Sequence, residues 1–185
     1  MNTDDKLTDV HVHLAALPTP ANGCRISAKL KNGPLAKLLA WRRGWPMDDP
    51  EKFNRRYMDR LLADLAASSR VGRAVILAMD GVYDSAGRLD EARTDFLISN
   101  HYCLDVAHEH PCLLAGVSIN PLRRDALEEL DKCIEEGAAL VKWLPNSQGF
   151  DPADRLCLPF YRRLAQMGVP LLTHIGYEFS LLGKD

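Results

Sequence analysis

The chain has 185 residues, of which 46% are hydrophobic and 26% charged, with a net charge of -2, enough apolar material for one domain with a sizeable core. No basic block or basic helical stripe marks a polyanion binder, so nucleic acid is not an expected partner. The opening MNTDDKL is acidic and polar where a secretory leader needs positive charge and then an apolar run, and no later run approaches membrane-spanning length, so no membrane partner is expected.

The five cysteines, Cys24, Cys103, Cys112, Cys133 and Cys157, are odd in number, widely scattered and without a Cys-x-x-Cys pair. That distribution fits reduced thiols, in the core or on neutral surface, better than a disulfide framework or a structural zinc site. It points to a cytoplasmic protein.

The first predicted element is a strand over residues 8–14, TDVHVHL. Side chains alternate across a strand, so His11 and His13 share one face while Val10, Val12 and Leu14 share the other. Two imidazoles on one face could grip a metal. A half-buried strand whose polar side meets water would read the same way, so the remainder of the chain has to decide.

Residues 15–52 form a polar, proline-marked excursion with LPTPANG, the basic KLKNGPLAKLLAWRRGW and then PMDDPEK. Its middle suits a short amphipathic helix carrying Trp41 and Trp45, read as an inserted lid or flap in preference to a membrane or partner contact. From Pro50 the spacing of Phe53, Tyr57, Leu61, Leu62 and Leu65 predicts a helix up to Ser68 and Ser69.

A strand-and-helix alternation follows. Residues 73–79 are a short apolar run, Asp80-Gly81 a turn, and residues 91–110 a predicted helix stopped by Pro111. Residues 112–119 are the next strand, closed by Asn120-Pro121, and a charged helix covers 124–136 before Gly137. Residues 138–144 are the fourth strand, and the loop PNSQGFDPAD leads to a helix around 160–167 ended by Gly168. Residues 169–175 are the fifth. Near-continuous apolar strands separated by helices predict a parallel sheet covered on both faces.

Two such architectures compete, an open doubly wound sheet and a closed (β/α)8 barrel. The first strand-to-helix turn has no Gly-x-Gly-x-x-Gly, which leaves a dinucleotide site unsupported. Chemistry-bearing residues stand at the C-terminal end of every strand: His11 and His13, Asp80, Ser118 and Asn120, Lys142, and His174. That placement is the habit of barrel enzymes. Lys142 alternates with Val141 and Trp143, and a lysine in the dry strand–helix layer would be costly, so it is expected to face the barrel axis with Trp143 outward. A lone His174 could be a satisfied core residue; beside His11 and His13 it becomes a third candidate nitrogen ligand for zinc.

The His-x-His of the first strand, the segments GAALVKWLP and GFDPAD, and the fifth-strand GVPLLTHIG together resemble the amidohydrolase superfamily, in particular its amidohydrolase-related metal-dependent hydrolases and decarboxylases. The likeness runs from Asp9 to Gly176. It implies an α/β TIM-barrel fold of the (β/α)8 type and one divalent metal, usually Zn2+, held by His11, His13 and His174. It also implies a further histidine on strand six and an aspartate on strand eight as general base. The chain ends at Asp185, in what should be the loop after strand five, so the expectation is one domain over 1–185 that is an incomplete barrel, strands one to five with their helices, with 15–52 inserted. No residue here matches the catalytic aspartate.

The resemblance implies a metal-dependent hydrolase acting with a metal-activated water on an amide, ester or lactone bond of a small-molecule substrate. The alternatives are a non-oxidative metal-dependent decarboxylase of an aromatic or unsaturated acid, or a catalytically inactive fragment. Lys142, Asn120 and Glu178 are the substrate-binding candidates, although Glu178 also suits a solvated loop carboxylate. Lys142 could equally make a structural ion pair or, as in phosphotriesterase-like relatives, bridge two metals after carboxylation. TatD-like nucleases share the His-x-His but carry glutamate where Lys142 stands. His101, His108 and His110 are expected at the surface. Strands one and five, left as edges, are compatible with solvent or with a homo-oligomer.

Overall fold

The computed structural model describes residues 6–176. In chain order it contains β1 (Leu7–His13), β2 (Arg25–Ile26), α1 (Ala28–Lys31), α2 (Pro34–Arg43), α3 (Pro50–Ala67), β3 (Val71–Leu77), β4 (Phe96–Leu97), α4 (Asn100–Glu109), β5 (Leu113–Val117), α5 (Ala126–Glu135), β6 (Leu140–Trp143), α6 (Pro145–Gln148), α7 (Leu158–Met167) and β7 (Leu171–Thr173). β1, β3, β5, β6 and β7 are the five strands expected from the sequence. They form one parallel sheet in that order, an α/β arrangement curled as half a barrel.

The helices start and stop where local chemistry dictates. Asp49 caps α3 by accepting from the Lys52 amide, with Pro50 in the first turn, and Ser99 caps α4 by accepting from the Tyr102 amide. α2 and α7 end on Gly44 and Gly168 in the left-handed conformation that glycine adopts without steric cost.

Strand alternation sorts the sheet into two faces. Ala74, Ile76, Ala115, Val117, Val141 and Trp143 belong to the large core against the helices, where Leu104, Leu130, Phe160 and Leu164 meet them. Val75, Leu77 and Leu140 are buried on the opposite, inner face with Leu114 and Leu172 beside them. Trp143 anchors the outer layer: its ring lies 5.0 to 5.4 Å from those of Phe150, Phe160 and Tyr161, and its Nε1 donates to the Ile119 carbonyl at 2.6 Å. On the inner face Gly116 leaves room for its neighbours, since a Cβ there would stand 2.5 Å from Leu77 Cδ2. Among the described residues β1 and β7 each have one strand neighbour in the sheet, and Leu7 is 67% and Ile175 90% exposed.

Two expectations change. The helix expected over 91–110 begins only at Asn100, because Asp90 holds residues 91–94 in a turn, accepting from the Ala92 and Arg93 amides while its carbonyl takes the Thr94 hydroxyl. The following Phe96–Leu97 pairs antiparallel with β2. The excursion therefore contains a strand and two short helices where the sequence suggested one helix. It is tied down by Asn54, which bridges the amide and carbonyl of Leu17, and by Ser99, whose hydroxyl donates to the Asn22 carbonyl.

Candidate active site

At the edge of the sheet, β1 pairs with β3 so that Val12 stands opposite Ile76 and His13 opposite Leu77. Leu77 is an inner-face residue, so His13 faces inward, and His11, which lies in an irregular stretch of the pairing between Asp9 and Val12, meets it on the same side. The two Nε2 atoms are 3.1 Å apart. Nitrogen ligands on one tetrahedral zinc, each at about 2.0 to 2.1 Å, would lie about 3.4 Å from each other, so the pair is already near the separation such an ion needs. Several contacts hold the strand in place: the Tyr57 hydroxyl donates to the His13 carbonyl, the Leu14 amide to the Leu77 carbonyl, and the His11 amide to Asp9 Oδ1. Partial desolvation against the sheet, then the positive charge of Lys142, push the His11 pKa below its ordinary value; Asp9 opposes this and His174 adds to it. A lowered pKa favours the neutral imidazole, the form that binds metal.

Lys142 is 1% exposed and lies on the inner face by alternation with Val141 and Trp143, as its parity in the sequence required. Its strand partner is Leu172. His174 follows the last residue of β7, and its amide extends the ladder by donating to the Trp143 carbonyl at 2.9 Å. Two positions beyond Leu172, it continues toward the same face. The structure thus brings His11, His13, Lys142 and His174 to one side of the sheet. Among the described residues, however, no three His, Cys, Asp or Glu side chains come close enough together to hold a metal ion. The histidine pair fits half of a nitrogen site.

The centre of the sheet is arranged differently. Asn120 is wholly buried, with its amide nitrogen donating to the carbonyls of Gly81 and Gln148, its Oδ1 accepting from the Leu122 amide, and its own backbone amide donating to Asp80 Oδ2. A substrate could contact this side chain only by displacing those bonds. Gln148 continues the chain of contacts: its Oε1 accepts from the Leu144 amide, its Nε2 donates to Ser118 Oγ, and that hydroxyl donates to the Lys142 carbonyl. Asp80, also buried, accepts from Gly81 and the Tyr83 hydroxyl and pairs with Arg123 at 3.5 Å. Burial pushes its pKa up, and the Arg123 charge opposes that shift. The network fixes the ends of β3, β5 and β6 relative to one another.

Two residues that position the site were not singled out from sequence. Gln148 sits in PNSQGF, which carries loop signals only, and Tyr57 read simply as part of a helix's apolar face. Glu178 lies outside the described residues. His101 and His108 are surface residues, paired with Asp105 and with the Glu136 carbonyl respectively. All five cysteines are free thiols; Cys24, Cys103, Cys133 and Cys157 are buried.

A protein-family model described as amidohydrolase matches residues 8–183. No curated protein matches the chain.

Proposed function

The chain belongs to the amidohydrolase family, and from that premise we propose that it is a metal-dependent hydrolase whose ligand-bearing edge is β1. The observation that carries this reading is the inward-facing pair His11 and His13, with Nε2 atoms 3.1 Å apart at the C-terminal end of a parallel strand. His174 is the proposed third ligand, supported by its place one residue beyond β7, two positions past the inner-face Leu172. A divalent ion, zinc by the nitrogen chemistry of the donors, supplies Lewis acidity when bound, bringing the pKa of water toward neutrality and polarising a carbonyl of an amide, ester or lactone.

The residues of this chain hold and orient. Asp9 and Tyr57 fix the backbone of β1 around the two rings. Lys142 presents a cation from the inner face, where it can balance negative charge on a substrate. Asn120 acts through Gln148 and Ser118 to hold the β6 backbone at Lys142, and Glu178, four residues after His174 in the sequence, is proposed to meet substrate. Five free thiols support a reducing, cytoplasmic setting.

Lys142 also favours a second reading. A buried cation beside histidines suits a substrate carboxylate, as a non-oxidative decarboxylase of an aromatic or unsaturated acid would require. The two readings separate by stoichiometry, since hydrolysis consumes water while decarboxylation releases carbon dioxide. Metal analysis of the purified chain and of His11→Asn and His13→Asn variants comes first. One zinc per chain in the parent and none in the variants is the expected result, and equal metal content in all three would overturn the assignment.

A further inference from the structure

α2 is oriented against the usual rule for a surface helix. Its small side chains, Ala36 and Ala40, turn toward the protein, while Leu35, Leu38, Leu39 and Trp41 are 57%, 51%, 43% and 80% exposed. A helix that packs as a lid would bury the leucines and show the alanines. The segment is also charged on one side of the ledger only. Residues 25–47 hold six basic residues and no acidic one, within a chain whose net charge is -2. Arg25 pairs with Glu91; among the described residues Lys29, Lys31, Lys37, Arg42 and Arg43 form no ion pair.

We infer that the α1–α2 segment docks on an anionic phospholipid surface. The long stems of the lysines and arginines can lie along apolar material while their heads reach phosphate oxygens, and the exposed leucines and Trp41 suit the boundary between headgroups and acyl chains. Just past the helix, Trp45 packs edge-on against Phe53 and beside Tyr57 of α3, so the contact is presented by a supported element. A second copy of the chain is a poorer occupant: bringing the same face together across a two-fold axis would crowd ten uncompensated cations into one interface. This surface is independent of the metal-site reading. It also differs from membrane spanning, since among the described residues no helix is long and apolar enough to cross a bilayer.

The test is co-sedimentation of the 185-residue chain with vesicles of phosphatidylcholine containing phosphatidylserine, beside vesicles of phosphatidylcholine alone. Binding to the first and little to the second is expected, weakening as salt is raised. Each Lys→Ala or Arg→Ala change among residues 29–43 should weaken it about fivefold. A blue shift of tryptophan emission on binding should disappear in Trp41→Phe, because Trp143 is already buried and Trp45 partly so. Leu38→Ser with Leu39→Ser replaces exposed side chains, so the melting temperature should hold while vesicle binding falls at least about tenfold. Equal binding to both vesicle types, no binding to either, or unchanged binding by the leucine variant would overturn the inference. So would a concentration-dependent dimer abolished by that variant, which would assign the face to a second copy, or binding to poly-glutamate without binding to vesicles, which would assign it to an acidic protein.

Discussion

At the C-terminal ends of β5 and β6, in the middle of the sheet, Ser118, Asn120 and Lys142 are all but inaccessible, whereas at the same end of β1, on the sheet's edge, His11 and His13 face solvent. Both regions place polar side chains where a barrel enzyme keeps its chemistry. In the centre, neighbouring strands and loops close over them, and the low dielectric makes every unmet hydrogen bond costly, so Ser118, Asn120 and Gln148 are bonded to backbone and to one another. At the edge, among the described residues, no strand covers the outer side of β1, and polar atoms can remain open without that cost. Position in the sheet decides which polar residues are closed into hydrogen bonds, as Ser118, Asn120 and Gln148 are, and which stay open, as His11 and His13 do.

The comparison breaks first at the core that supports the centre. Trp143→Ala removes three ring contacts and the Nε1 bond to Ile119 in a site with no solvent to fill it, and should cost about 3–5 kcal/mol in chemical denaturation. A loss under about 1 kcal/mol would mean that the outer layer collapses around the gap and does not set the position of β6.

Asn120→Ala should come next, at about 2–4 kcal/mol, because it strands the buried carbonyls of Gly81 and Gln148 and removes the acceptor of the half-buried Leu122 amide. Combined with Gln148→Ala the loss should depart from additivity by at least about 0.5 kcal/mol, since both side chains serve one connected network. Strict additivity would show two independent structural bonds.

The strand spans and faces were legible because burial on two sides leaves a simple signature. Lys142 interrupts an apolar run at one parity, and a cation excluded from the helix layer can only face inward. Gly168 and Ser68 marked helix ends through local chemistry alone. What escaped depends on partners distant in the chain: Gln148 meets Ser118 and Tyr57 meets His13, and nothing within either residue's own neighbourhood specifies those contacts. The 91–94 turn was missed for the opposite reason, since Asp90 outcompetes the helix locally by bonding the next amides. His11 and His13 were legible as a same-face pair, but only pairing with β3 shows that their face is the inner one.

A smaller effect tests the sealed centre by pH. Burial pushes the Cys103 thiol up to about 12, whereas in the unfolded chain it ionises near 9. Between those values the native state keeps a proton that the unfolded state has lost, so stability falls as pH rises. The slope should approach about 1.4 kcal/mol per pH unit for this group, and Cys103→Ala should flatten its share of the alkaline loss. An unchanged slope would mean that solvent reaches the thiol in the native protein.

The smallest expected change in stability belongs to the edge. His11 and His13 are exposed, and two contacts that hold β1 there use backbone atoms of the strand: Tyr57 donates to the His13 carbonyl, and the Leu14 amide to the Leu77 carbonyl. Alanine keeps all of those atoms, so His11→Ala and His13→Ala should each alter the unfolding free energy by less than about 0.5 kcal/mol without metal. The pair should matter only when an ion is offered. A ligand that binds the folded state alone at a hundred times its dissociation constant adds about 2.7 kcal/mol, so zinc should raise the melting temperature of the parent and leave both variants unmoved. If the variants unfold easily without metal, the histidines are structural and edge and centre do not differ as described. If zinc stabilises all three proteins alike, the ion binds elsewhere and the pair is not its site.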